Sequence, residues 1–106
     1  MRILVVSDTH GDLRSLIKAV DAQRKAEIIV HCGDGEEQQR FLKDNYKDKM
    51  IVAVRGNCDW NSFFPSKEIF KACGKTIFVT HGHLYDAKSG LYRITSAARE
   101  AGADIL

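Results

Sequence analysis

Four short apolar runs in this chain each stop abruptly at a cluster of aspartate, histidine, asparagine and glycine, and that repetition constrains the fold more than any other feature. The clusters are Ser7-Asp8-Thr9-His10-Gly11-Asp12, His31-Cys32-Gly33-Asp34-Gly35, Arg55-Gly56-Asn57-Cys58-Asp59 and Thr80-His81-Gly82-His83. The runs before the first three, Arg2 to Val6, Glu27 to His31 and Met50 to Val54, have the length and apolar character of buried strands. Between the first two, Leu13, Leu16, Ile17 and Val20 keep the i, i+3, i+4, i+7 spacing of a helix face, with Asp12 placed to cap it. A weaker helical segment covers Glu36 to Tyr46. Strands alternating with helices favour a parallel α/β sheet with right-handed crossovers. The C-terminal strand ends of such a sheet share one edge, where ligands bind in open α/β folds, so the polar clusters are expected to converge.

Beyond an irregular stretch from Arg55 to Pro65, Lys67 to Ala72 and Lys75 to Thr80 flank Cys73-Gly74 and read as a β-hairpin or a tight strand connection. Leu91, Ile94, Ala98 and Ala101 then keep helical spacing, Gly102 stands at the C-terminal cap, and Ala103 to Leu106 begins a further strand. At 106 residues and 44% hydrophobic content, the chain is expected to form one domain, residues 1–106, with its own core. Charged residues, 28% of the total, interrupt every apolar segment before the roughly 20 residues that a bilayer requires. The apolar N-terminal run ends at Ser7-Asp8, before a signal-peptide core would be complete. These features predict a cytoplasmic protein with no membrane partner. Cys32, Cys58 and Cys73 form no CxxC pair and read as free thiols. The net charge of +2 comes from interleaved basic and acidic residues without a basic block, which marks no dedicated nucleic-acid partner.

The residue types in the four clusters identify a chemistry. Asp8 and His10 are two apart, so a locally extended chain projects both to one side, where a carboxylate and an imidazole can grip one ion. Asp34 sits between glycines that let the backbone turn and leave its carboxylate free to bridge two cations. Asn57 adds a neutral oxygen and His81 an imidazole for the second ion. Mixed oxygen and nitrogen donors without thiolates suit Mn²⁺, Fe, Ni²⁺ or Zn²⁺ better than Ca²⁺.

In this arrangement the chain resembles the calcineurin-like metallophosphoesterases, and more narrowly the compact YfcE-like bacterial and archaeal phosphodiesterases. The family pattern Asp-x-His, Gly-Asp, Gly-Asn-x-Asp/Glu and His-Gly falls on Asp8/His10, Gly33-Asp34, Gly56-Asn57-Cys58-Asp59 and His81-Gly82, in order and each after a strand. The resemblance implies an α/β fold of the αββα sandwich type. It also implies two divalent metal ions, Mn²⁺ first with Ni²⁺, Fe or Zn²⁺ as alternatives, and hydrolysis of a small phosphate ester, above all a phosphodiester. The attacking group would be a metal-bridging hydroxide, with no protein nucleophile. By the same resemblance Asp8 and His10 bind the first metal, Asp34 bridges, and Asn57 and His81 bind the second, Asn57 also meeting the substrate. Many larger members carry histidine where this chain has Cys58; a thiol is a poorer general acid, which favours leaving groups of low pKa. The family completes its site with a Gly-His-Thr-His motif after a strand resembling Gly102 to Leu106. The sequence ends there, so each ion is expected to lack one histidine and the second sheet to lack a part.

Structural roles compete for several of these residues. Asp12 reads as a helix cap before a ligand, and His31 as a hydrogen-bonded core group. His83 is balanced between contacting a substrate phosphate and supporting a ligand. Asp59 reads as orienting its neighbours within the catalytic Asn57-Cys58-Asp59 group. Trp60, Phe63 and Phe64 read as a packing cluster over the sheet edge, with a substrate cleft as the alternative, and Arg55 as a surface residue before a phosphate contact. At the level of function, a non-catalytic scaffold or inactive fragment stands beside the esterase, since the retromer scaffold subunit resembles the same subfamily. A homo-oligomer pairing two chains across an open sheet edge is a further expectation.

Overall fold

A computed structural model describes residues 1–60 and 62–106. Three strands, β1 (Ile3–Val6), β2 (Ile28–His31) and β3 (Met50–Ala53), pair in parallel in the order β1-β2-β3. Helix α1 (Leu13–Ala22) makes the first crossover and α2 (Glu36–Asn45) the second. Both crossovers step in one direction across the sheet, so the usual right-handed connection puts both helices on one face. Side-chain alternation sorts the core accordingly. Leu4, Val6, Ile29 and Ile51 meet Leu16, Val20 and Leu42 of the helices. Their sequence neighbours Ile3, Ile28, Val30 and Val52 face the other way and meet Ala72, Ile77 and Val79.

Those last residues belong to a second sheet, an antiparallel hairpin of β4 (Lys67–Ala72) and β5 (Lys75–Thr80). Its turn residues Cys73 and Gly74 both have positive φ, 50° and 76°, as a two-residue turn matched to strand twist requires. Phe78 points away from the inter-sheet core yet is 1% exposed, with the Tyr85 ring edge-on to it at 6.2 Å. Helix α3 (Tyr92–Glu100) buries Ile94 and Ala98 and completes the αββα sandwich. Gly102 ends it at φ 72°, with its N–H on the Arg99 carbonyl and the Ala103 N–H on that of Ala98. The expected final strand is reduced to a parallel bridge between Ile105 and Ile77.

Asp12 caps α1 as expected, its side chain accepting from the Ser15 N–H at 3.1 Å and from the Ser15 hydroxyl at 2.8 Å. Those bonds hold its carboxyl below the usual range. Glu36 and Glu37 in the first turn of α2 and Lys43 in its last complement the helix dipole. One expectation needs correcting. Three of the four polar clusters lie on the C-terminal edge of one parallel sheet, but the fourth, Thr80 to His83, arrives from the antiparallel hairpin. The sandwich, and not a single sheet, brings it to the others. Among the described residues no helix is long and apolar enough to cross a membrane.

Candidate metal centre

The loop Cys32 to Gly35, after β2, is the hub to which the other three clusters are tied. The Asp8 N–H donates to the Gly33 carbonyl at 2.8 Å and the His10 N–H to the Asp34 carbonyl at 3.1 Å, zipping the first cluster to it. Asp59 ties the third: one carboxylate oxygen accepts the N–H groups of Asp34 (2.9 Å) and Gly56 (2.8 Å), the other those of Gly35 (3.1 Å) and Glu36 (3.3 Å). Asp59 thereby supplies the N-terminal acceptors of α2 from a distant loop, since Gly35 has no side chain to cap it. His81 ties the fourth through Nδ1–H, which donates to the Cys32 carbonyl at 2.9 Å.

Glycine is required where these loops cross. A Cβ on Gly56 would lie 2.0 Å from Asp34 Oδ1, and one on Gly33 would lie 2.8 Å from both the Gly56 backbone and His81 Nδ1. Three non-glycine residues here hold left-handed backbone conformations: Asp8 (φ 55°), His10 (φ 43°) and Asp34 (φ 61°). Each such conformation is uncommon and costs about 1–3 kcal/mol, so it persists only where its surroundings over-determine it, as they do at functional sites.

Asp34 is 4% exposed and its two oxygens are divided in use. Oδ1 accepts the Cys58 N–H at 2.8 Å, while Oδ2 faces His81 Nε2 at 3.3 Å and His10 Nε2 at 3.8 Å. His10 Nε2 lies 3.5 Å from Asp8 Oδ1. The Ser7 hydroxyl beside Asp8 is the main influence holding its carboxyl low, with His81 and His10 adding to it. Asp8, Asp34 and His81 offer donor atoms within 4.8 Å of one another, and so do His10, Asp34 and Cys58.

The donor set suits a cation. His81 commits Nδ1–H to a carbonyl, which leaves its Nε2 facing Asn57 Oδ1 at 2.9 Å and Asp34 Oδ2 at 3.3 Å. Three atoms that can bind a cation therefore converge, and an imidazole anchored through its other nitrogen to a backbone carbonyl is the usual form of a metal-binding histidine. The structure thus brings Asp8, His10, Asp34, Asn57 and His81 together.

His83 stands at the rim, its ring centroid 5.5 Å from that of His81, and partial burial, then the His81 charge, lowers its pKa. Cys58 is exposed; desolvation, then the Asp34 carboxylate, pushes its thiol up, which disfavours the thiolate a nucleophile would need. A 320 Å³ cleft runs past His10, Asp34, Cys58 and Trp60, and a 210 Å³ cleft past Asn57, His81, His83 and Lys88. Trp60 and Phe63 do not form the expected packing cluster: they are 89% and 93% exposed, and Trp60 lines the first cleft. Arg40 lies over the Phe63 ring and Lys43 over that of Phe64. Arg55 is exposed, its N–H on the Pro65 carbonyl.

The profile of the calcineurin-like phosphoesterase superfamily domain matches residues 1–106. The chain belongs to this superfamily. Over 110 residues it is 34% identical to the "Probable metallophosphoesterase YsnB" of Bacillus subtilis, covering all of this chain and 61% of that protein. It is 27% identical over 115 residues to the "Phosphodiesterase MJ0936" of Methanocaldococcus jannaschii, covering 89% of this chain and 69% of that one. A solved phosphoesterase-like structure from Streptococcus pneumoniae superposes with a TM-score of 0.79 at 28% identity, over 95% of this chain and 56% of that one. This calcineurin-like chain therefore spans about three-fifths of the length of such relatives.

Sequence reasoning missed Thr9, Gln38 and Gln39. Gln38 and Gln39 are buried beside Leu42 on α2, at the i, i+3 and i+4 spacing that marks a helix's inner face. Two glutamines at core spacing are the signal that a buried polar network is present.

Proposed function

We propose that this chain carries the site of a divalent-metal-dependent phosphodiesterase acting on a small phosphate ester in the cytoplasm. The observation that carries the reading is the convergence of Asp34 Oδ2, Asn57 Oδ1 and His81 Nε2. In this reading Asp8 and His10 would hold a first ion, Asn57 and His81 a second, and Asp34 would serve both, while the Cys58 N–H fixes one of its oxygens. When bound, the ion pair supplies water activation and charge neutralisation on the phosphate.

The chain's own groups do the rest. Asn57 and His83 border one cleft and orient the ester between them, Lys88 adding positive charge for a phosphate. Cys58, kept as a thiol, stands where a leaving group departs; a weak acid there favours leaving groups that need little protonation. Asp59, with both oxygens occupied by backbone N–H groups, positions Asp34 and does not touch substrate. The phosphodiesterase name of the Methanocaldococcus relative favours a diester over a monoester. Manganese is the first ion to test, with nickel, iron and zinc beside it.

The test is hydrolysis of bis-p-nitrophenyl phosphate by metal-stripped protein given Mn²⁺, Ni²⁺ or Zn²⁺. Metal-dependent turnover that disappears in Asp34→Asn is expected. A folded protein with no turnover under any metal would overturn the esterase reading.

A further inference from the structure

A second polar assembly lies beneath the candidate centre, on the helix-covered side of the parallel sheet. His31, at the end of β2, is fully buried. Its Nδ1 receives the Gly33 N–H at 3.1 Å and the Gln39 amide nitrogen at 3.0 Å, that amide also donating to the Val54 carbonyl at 2.7 Å. Its Nε2 lies 3.0 Å from the Thr9 hydroxyl. The Thr9 hydroxyl in turn donates to Gln38 Oε1 at 3.0 Å, which also accepts the Gly11 N–H at 3.0 Å.

The direction of every bond in this chain is fixed. A backbone N–H can only donate, so Gly33 requires Nδ1 of His31 to be an acceptor. The neutral ring then carries its proton on Nε2 and donates it to Thr9. Thr9 has a single proton left to give, and Gln38 Oε1 takes it. The site also leaves room for the hydroxyl, because a Cβ on Gly35 would lie 2.0 Å from Thr9 Oγ1.

Thr9 is the residue between Asp8 and His10, and both of these hold left-handed backbone conformations that need outside support. Backbone bonds to Gly33 and Asp34 hold the two residues. The Thr9 hydroxyl adds a side-chain anchor between them. We infer that the relay His31 to Thr9 to Gln38 is a positioning device that locks the Asp8-Thr9-His10 loop in its cation-binding conformation, with Thr9 as its working residue. The inference rests on the metal-site reading above.

The test measures Mn²⁺ affinity of folded, metal-stripped protein from the paramagnetic resonance of free Mn²⁺, in wild type, Thr9→Val and Thr9→Ser. Thr9→Val keeps the shape and removes the hydroxyl; its affinity should fall on the order of tenfold or more, the range for loss of a group supporting a metal ligand. Thr9→Ser keeps the hydroxyl and should bind as wild type does. Wild type that binds no Mn²⁺ removes the metal-site reading, and this inference with it. Wild-type binding matched by Thr9→Val overturns the relay alone, even if that variant melts earlier. Equal weakening in both variants also overturns it, because the hydroxyl that Thr9→Ser retains would then protect nothing. If Thr9→Val fails to fold, ¹⁵N NMR of wild-type His31 decides: a proton on Nε2 supports the relay and a proton on Nδ1 overturns it.

Discussion

Asp59 holds Asp34 by the backbone, its carboxylate accepting the Asp34 N–H at 2.9 Å while the Asp34 side chain turns back to accept the Cys58 N–H at 2.8 Å. Each residue thus fixes the other's loop, and the geometry of Asp34 is set from both ends.

Removing this clamp should damage fold and site together. Asp59→Ala strands four backbone donors, and since a hydrogen bond to a charged group contributes ~1.5–3 kcal/mol, a loss of about 3 kcal/mol or more is expected. Asp59→Asn should also destabilise, because its amide NH₂ meets N–H groups where an oxygen stood. Urea unfolding of the metal-free protein checks both.

Gly56→Ala should be far more disruptive than Gly74→Ala. At Gly74 a Cβ meets nothing within 4 Å, so only the positive φ penalises it, by about 1 kcal/mol. At Gly56 the Cβ collides with Asp34 Oδ1 at 2.0 Å and with Asp34 N at 2.5 Å. Mn²⁺ titration should show binding lost in Gly56→Ala and kept in Gly74→Ala.

Asp12→Ala separates cap from ligand. The variant loses the two bonds to Ser15 and should melt at a lower temperature than wild type. Mn²⁺ affinity should not change; a weakened affinity would make Asp12 part of the centre.

Burial lowers the pKa of His31 below its ordinary 6.5. As pH falls through that value the unfolded chain takes up a proton that the folded one does not. Stability should therefore be fully present above 6.5 and decline as pH drops toward the depressed folded value. Urea midpoints compared at pH ~7.5 and ~5.5 should show the decline, with a smaller difference in His31→Leu.

The sequence was most legible where one residue type has one physical use. Asp12 before an apolar helix face, Gly74 in the turn between two strand patterns and Gly102 after α3 all adopt the conformations their chemistry favours. The clusters that carry Asp8, His10, Asp34, Asn57 and His81 were legible because each follows a strand, though the hairpin that delivers His81 needed the second sheet. Backbone conformation at Asp8, His10 and Asp34 was not legible, since aspartate and histidine do not demand positive φ. Tertiary contacts impose it. Asp59 read as an orienting residue, but its four bonds reach backbone groups whose position only the folded chain defines. Trp60 and Phe63 read as packing residues because aromatic character favours burial on average, a tendency that says nothing about a particular loop.

The hub role of Cys32 to Gly35 also divides the candidate site along the chain. Asp8, His10 and Asp34 follow β1 and β2, whose loops are joined by backbone bonds, and the loop after β3 then fixes Asp34 through Asp59 and Cys58. Asn57 follows with the loop after β3, and His81 last, once the hairpin docks and its ring reaches the Cys32 carbonyl. A nascent chain would emerge with Asp8, His10 and Asp34 ahead of Asn57 and His81. In the proposed metal-site reading, cation uptake at full affinity would then require the two sheets to have closed on each other.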